Sequence, residues 1–396
     1  MQLQEIAKAI GIQNTDEIAE SVYAYYPITK TPKYPLCSLE MIDRLQTRFN
    51  LFEHFYEDVR NAWLQLEQNE YQRIWVDLIS TYMFDHTDYL RHLDIPVPDS
   101  DGTPAGDFLL LFCLLPSVEP SYEEYCRRGF SEKELKDLMH QYSLNMVYSQ
   151  NTVDRPALIA GYYHWLWLYA KSVIFRCGSL NFEQHTQDRT YVLKNKENGQ
   201  LLPLSIPQTM HREGMPLGTA GYEDAEGSYA VTFEETEDAY IGFPAVDLVF
   251  PNQKTVYLKS EWELILRPGE LCIGVHIPRK TLFTPEAVTD SIEGAKKIIA
   301  ERFPEWTSRV ITCTSWLLCP DFEYLLKPGS NIAAFGRRFI RFPVMNNGRG
   351  PFSCVFPQNF KGTYDQLPED TSLMRVCKKR YMEGGCILNY SGVIAL

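Results

Sequence analysis

A chain of 396 residues, 45% apolar and 22% charged, is long enough for two cores and too apolar for broad disorder. Its net charge of −13 repels a phosphate backbone and no basic stripe offsets it, which argues against nucleic acid and leaves a small molecule as the expected partner. The longest apolar run, residues 108–115, falls far short of the roughly 20 residues that span a bilayer. The polar start MQLQEIAKAIGI and ten cysteines without a CxxC pair fit a reduced, cytoplasmic protein with no membrane association.

Residues 1–155 read as a helical domain. Met41, Leu45, Phe49, Phe52, Tyr56, Val59 and Trp63 recur at three- and four-residue spacing and predict one long helix. A second helix over 71–83 repeats the pattern, a Pro- and Asp-rich break follows at 96–102, and helices over 106–115 and 131–146 complete the domain. The run DHTDYLRH places His86 and His92 six apart, on different helix faces, so no metal site is expected there.

From residue 156 the texture changes. An aromatic helix over 158–176 is apolar all round, as a core helix would be, and leads into alternating strands at 178–183 and 191–193. A Gly-, Pro- and Glu-rich stretch, about 194–239, reads as a loop-rich excursion or small β-insert. Regular structure resumes near Tyr240. The run ELCIGVHIP (270–278) predicts a strand buried on both faces, followed by a helix capped by Thr284 with Pro285 in its first turn. A buried strand over 309–318, a short helix over 321–326, a strand over 332–342, a helix over 372–382 and a strand over 386–394 close the chain. The fold class is α/β (α+β): a helical N-terminal domain, then a mixed-sheet domain over 156–396.

The segments GSLNFE, EWELILRPGELCIGVHIP, LFTPEAVTDSIEGAKKIIAERFP, TSWLLCP, LKPGSNIAAFGRRF and LPEDTSLMRVCKKRYMEGG occur in order across 178–385. In these the chain resembles a bacterial family of acyltransferase domain-containing proteins. Its members pair an N-acyltransferase N-terminal domain with a GNAT-like C-terminal domain. The resemblance implies a transferase that moves an acyl group from a thioester, acyl-CoA as cosubstrate, to an amine, with the helical domain shaping the acceptor side.

The GNAT fold implies a cleft between two splayed central strands, here 271–277 and 309–318, where the edge of the first pairs with the acyl-thioester. Val275 and Ile277 would form that edge. Arg279, Lys280 and Thr284 would face the CoA pyrophosphate at the start of the following helix. The loop 279–284 departs from the glycine-rich Q/R-x-x-G-x-G/A pattern, because it contains no glycine, and Leu282 and Phe283 would obstruct a phosphate there. His276 is the candidate base, Tyr324 the candidate acid and Ser315 a candidate hydroxyl. Trp316, Asn331 and Arg338 are candidate substrate contacts. Cys313 and Cys319 are conceivable nucleophiles with no paired base in sequence. The glycine-free loop also admits a second reading, a non-catalytic small-molecule-binding or regulatory protein on the same fold, and a thioester hydrolase is a third.

Overall fold

A computed structural model of the chain describes residues 3–12, 22, 31–85, 102–279, 281–356 and 360–396. His86 and His92 of the DHTDYLRH run lie outside the described residues. The chain divides into two compact units, Met1–Phe175 and Arg176–Leu396. The change of texture in the sequence predicts a division at 155/156. The structure's division falls later because the aromatic helix packs among the helices that precede it.

The first unit holds α1 (Leu3–Ala9), α2 (Leu39–Phe49), α3 (Tyr56–Leu66), α4 (Glu70–Asp85), α5 (Pro104–Leu114), α6 (Val118–Arg127), α7 (Glu132–Val153) and α8 (Ala160–Ala170). The single helix expected over 41–63 is two, α2 and α3. Asn50 takes a left-handed conformation at φ 50° and its N–H caps α2 on the Gln46 carbonyl. The Gln46 amide then receives the Phe52 N–H, which locks the turn that periodicity could not reveal. The apolar stripe stays continuous across the break, since Leu45, Phe52, Val59 and Trp63 are all buried. Likewise the aromatic helix stops at Ala170, and Ile174 begins a strand.

The second unit is built on a six-stranded sheet. Its strands are β1 (Ile174–Cys177), β2 (Leu180–Thr186), β11 (Leu271–His276), β12 (Val310–Ser315), β13 (Ile340–Pro343) and β14 (Tyr390–Ala395), in the order β1-β2-β11-β12-β14-β13. Only β11 and β12 are parallel among the pairings with a described register. They are joined by α9 (Pro285–Arg302) in a strand–helix–strand crossover. Thr284 caps this helix, accepting from the Ala287 N–H, and Val288, Ile292, Ala295 and Ile299 bury its apolar face. Three further helices follow, α10 (Phe322–Leu325), α11 (Asn331–Gly336) and α12 (Ser372–Met382).

The strand expected over 332–342 is instead α11 followed by the short β13. A short apolar run carries too little length to distinguish helix from strand. The closing strand likewise starts at Tyr390, four residues later than the alternation implied. Of the two expectations for about 194–239, a loop-rich excursion or a small β-insert, the structure shows the β-insert, and it reaches from 190 to 266. It forms strands β3 (Thr190–Asn195), β4 (Leu201–Ser205), β5 (Gln208–Met210), β6 (Tyr229–Val231), β7 (Glu234–Glu235), β8 (Ala239–Gly242), β9 (Thr255–Leu258) and β10 (Trp262–Leu266) in three small sheets, β10-β3-β4, β5-β6 and β7-β8-β9. Val192, Leu201, Met210, Val231, Phe243, Phe250 and Leu266 of this insert share one core with Cys272, Val310, Phe342 and Val393 of the large sheet. The insert therefore roofs one face of the sheet, and short strands joined by turns hid that role from periodicity.

Among the described residues no helix is long and apolar enough to cross a membrane. Asp77 of α4 is half-buried, and desolvation pushes its carboxyl up to about 6 against the opposing pull of Arg73. Its folded pKa lies above the unfolded value. The favourable contribution is thus complete below about pH 4 and lost as pH rises through about 6. Asp77→Asn is expected to stabilise the protein by about 1–2 kcal/mol at pH 8, after allowance for solvent screening, and by nothing at pH 4. Denaturant melts at the two pH values measure this.

Candidate functional site: the cleft between two splayed strands

The pairing of β11 with β12 consists of Ile273 opposite Ile311 and Gly274 opposite Thr312. Both strands run on past this point, each still paired with its outer neighbour. His276 pairs with Asn181 of β2, and Ser315 pairs with Tyr390 of β14. The inner ladder ends while the outer ones continue, so the two central strands part. Between their free ends lies a cavity of about 330 Å³. It is lined by Val275 and His276 at the end of the first strand with Ile277, Pro278 and Arg279 after it, and by Cys313, Thr314 and Ser315 of the second with Trp316 and Leu317 after it. Thr281, Phe283, Ile332, Cys354, Val355 and Leu373 complete the wall. The polar groups sit at the strand ends, and the far wall is hydrocarbon.

Residues 174–394, the unit built around this cleft, match the family model of the GNAT-like C-terminal domain. The chain belongs to the GNAT-like C-terminal domain family. Its fold is also similar to solved acyltransferases over 100% of both chains. One, in complex with decanoyl-CoA and teicoplanin, gives a TM-score of 0.64 at 15% identity. A mutant acyltransferase in complex with octanoyl-CoA gives 0.65 at 15%. At that identity the likeness is one of fold. No curated protein matches the chain by sequence.

The GNAT-like domain brings together His276, Val275, Ile277, Arg279, Ser315 and Trp316 of the residues singled out in sequence. Lys280 lies outside the described residues. Thr284, Tyr324, Asn331 and Arg338 are not on the cavity wall. Tyr324 is 66% exposed, and partial burial of its hydroxyl followed by a hydrogen bond to Asp321 pushes it up to about 12. Asn331 opens α11 instead of preceding a strand, so it faces a helix start. Arg338 lies against α9, where its Nη2 donates to the Pro285 carbonyl at 2.6 Å and to Thr289 Oγ1 at 2.7 Å.

The start of α9 is sparing with donors. Pro285 has no N–H, and the Ala287 N–H is held by Thr284 Oγ1 at 3.2 Å. Leu282, expected to obstruct a phosphate, is 66% exposed and turned outward. Phe283 packs on Phe335 with ring centroids 4.9 Å apart. Anion binding here would rest more on the guanidinium of Arg279 than on backbone amides.

Ser315 Oγ accepts the Leu317 N–H at 3.1 Å, capping a short turn, which makes it a positioned but partly committed hydroxyl. Trp316 packs edge-on against Phe322 at 5.9 Å and belongs to the core that also holds Phe352 and Tyr381. Burial pushes the Cys313 and Cys319 thiols up to about 12, so both stay protonated at neutral pH and serve poorly as nucleophiles.

Three groups escaped the sequence reading. Thr314 is exposed although it lies in a central strand, because the strands have parted beside it; its Oγ1 is 2.8 Å from Ser391 Oγ. The other two, Glu183 and His185, alternate with Asn181 along β2 and share a face with Cys272, Gly274 and His276 of β11. Glu183 Oε1 is 3.1 Å from His276 Nε2. The run NFEQH, in which Gln184 is polar as well, gave no clean alternation to single them out.

Gly274 accounts for how these side chains fit. A Cβ at this position would lie 2.9 Å from the His185 ring and 3.1 Å from Glu183 Cγ, nearer than real contacts allow. Gly274→Ala is expected to lower the unfolding free energy by about 1–3 kcal/mol, as overpacked cores do. Gly161→Ala, whose new methyl meets nothing within 4 Å, is expected to leave it unchanged or higher. Denaturant unfolding of the two variants side by side checks the contrast.

Proposed function

We propose that the protein is an acyltransferase that moves an acyl group from an acyl-CoA thioester to an amine. The single observation that carries this reading is the parting of β11 from β12 after Gly274 and Thr312, with His276 on the wall of the resulting cleft. A parted strand pair exposes backbone N–H and C=O groups that an extended acyl-pantetheine arm can pair with, much as an added strand would. The likeness in fold to acyltransferases bound to decanoyl-CoA and octanoyl-CoA supports the same donor class.

The chemistry balances with the residues at hand. The amine nitrogen attacks the thioester carbonyl, the N–C bond forms and the C–S bond breaks. The proton lost by the amine passes to His276, and the departing sulfur is protonated to give free CoA. Thr314 and Ser315 both line the cavity, and either hydroxyl is a candidate donor to the charge that develops on the thioester carbonyl. Arg279 supplies the charge for the CoA phosphates that the glycine-free helix start lacks.

Phe283, Leu317, Ile332, Val355 and Leu373 give the cavity a hydrocarbon wall that an acetyl group would leave uncovered. The reading therefore favours a donor with a chain of several carbons. Each buried methylene contributes roughly 0.8 kcal/mol, so octanoyl-CoA is expected to bind at least about tenfold more tightly than acetyl-CoA. Calorimetric titration measures this. Equal affinity for the two, or no binding of either at millimolar concentration, would favour the non-catalytic reading. His276→Ala is expected to retain octanoyl-CoA binding and to lose about 10²- to 10⁴-fold in acyl transfer to amines, followed by release of free thiol.

A further inference from the structure

Glu183 is fully buried in the sheet, with an exposure of 0%. A carboxylate in such a place is costly to keep unless it is matched by hydrogen-bonding or charged partners, and an apolar side chain of similar size would fill the space at less cost. Its surroundings are specific. Oε1 lies 3.1 Å from Nε2 of His276 and 3.8 Å from Nδ1 of His185. His185 is itself held on its far side, with Nε2 3.0 Å from Thr312 Oγ1 and 3.1 Å from Cys272 Sγ. The series thus runs from the cavity wall into the sheet interior: His276, Glu183, His185, then Thr312 and Cys272. Five positions on three neighbouring strands supply it, and Gly274 provides the space for the Glu183 and His185 side chains.

We propose that Glu183 is a positioning residue for His276, and that His185 holds Glu183 from the side away from the cleft. The inference rests on the reading of His276 as the base. The carboxylate 3.1 Å from Nε2 meets it as a charge contact and not as an aligned hydrogen bond, and that charge favours the proton on Nε2, which leaves the lone pair of the neutral ring on Nδ1. It also fixes the ring about its side-chain torsions, so that the basic nitrogen meets an incoming amine at one angle. His185, with Nδ1 3.8 Å from Oε1, limits the room for Glu183 by packing and charge when His276 takes up a proton. A buried ion pair that merely braced the two strands would do without the second histidine and would not select a tautomer.

The decisive experiment is long-range ¹⁵N–¹H NMR of the ¹⁵N-histidine-labelled full chain, assigned through His276→Ala and His185→Gln. The neutral His276 ring is expected as the Nε2–H tautomer in the wild type, and as a tautomer mixture in Glu183→Gln. His185→Gln is expected to shift the His276 resonances as well. In steady-state assays with octanoyl-CoA, Glu183→Gln is expected to lose at least about tenfold in kcat with KM for the donor changed less than twofold. An Nδ1–H tautomer in the wild type would overturn the proposal, as would a folded Glu183→Gln with full kcat. If Glu183→Gln does not fold, the wild-type tautomer and the His185→Gln shift still decide. If no acyl transfer is found at all, the functional reading fails, whereas the tautomer answers separately whether Glu183 positions the ring.

Discussion

The cleft depends on one constraint: two parallel strands that stop pairing with each other while each keeps its outer partner. The β11–β12 ladder is two residue pairs long, yet β11 is paired to β2 along its whole length and β12 to β14 along its own. The outer ladders hold the strands straight, so the parting costs the sheet only the inner bonds beyond Gly274 and Thr312. Those backbone groups then line a cavity instead of facing another strand. Unmade backbone hydrogen bonds inside a protein are expensive. A ligand able to satisfy them is correspondingly well rewarded.

Two coverings make this opening specific. On one face α9 is fixed close to the sheet, with the Ser179 N–H donating to Ser291 Oγ at 2.8 Å. On the other the β-insert over 190–266 roofs the sheet with a continuous hydrophobic layer. Glu183 and His185 are buried, so the electrostatic contacts among Glu183, His185 and His276 act in a medium of low polarity, where they are strong. At the open end His276 remains partly exposed, with one-fifth of its side-chain surface accessible. The site therefore combines a dry interior with a single reachable ring.

Much of this was legible in the sequence. LCIGVHIP and the run over 309–318 announced two buried strands flanking a capped helix, because unbroken apolar runs and a Thr-Pro start are strong local signals. They are the pair that parts, but the second strand ends at Ser315, and Trp316–Leu318 form a 3-10 turn. What the sequence concealed depends on contacts between distant segments. Asn50 and Gln46 interrupt a helix whose apolar stripe continues unbroken, so periodicity alone predicted one element where there are two. The short apolar run at 332–342 reads as extended and sets Asn331 and Arg338 at a strand mouth, whereas Asn331 opens α11 and Arg338 lies between α11 and β13. Glu183 sits in a run of mixed polarity that does not single it out; it lies opposite Gly274, and strand register alone brings the His276 ring to it.

The central claim is that the gap between β11 and β12 is where the acyl-thioester lies. Amide hydrogen exchange with and without octanoyl-CoA tests it most directly. The account predicts slowed exchange confined to residues 275–279 and 313–317, whose amides the donor would pair with or shield, while the outer strands β2 and β14 stay as they were. Binding that left both of those segments unchanged, or protected a different surface, would contradict it.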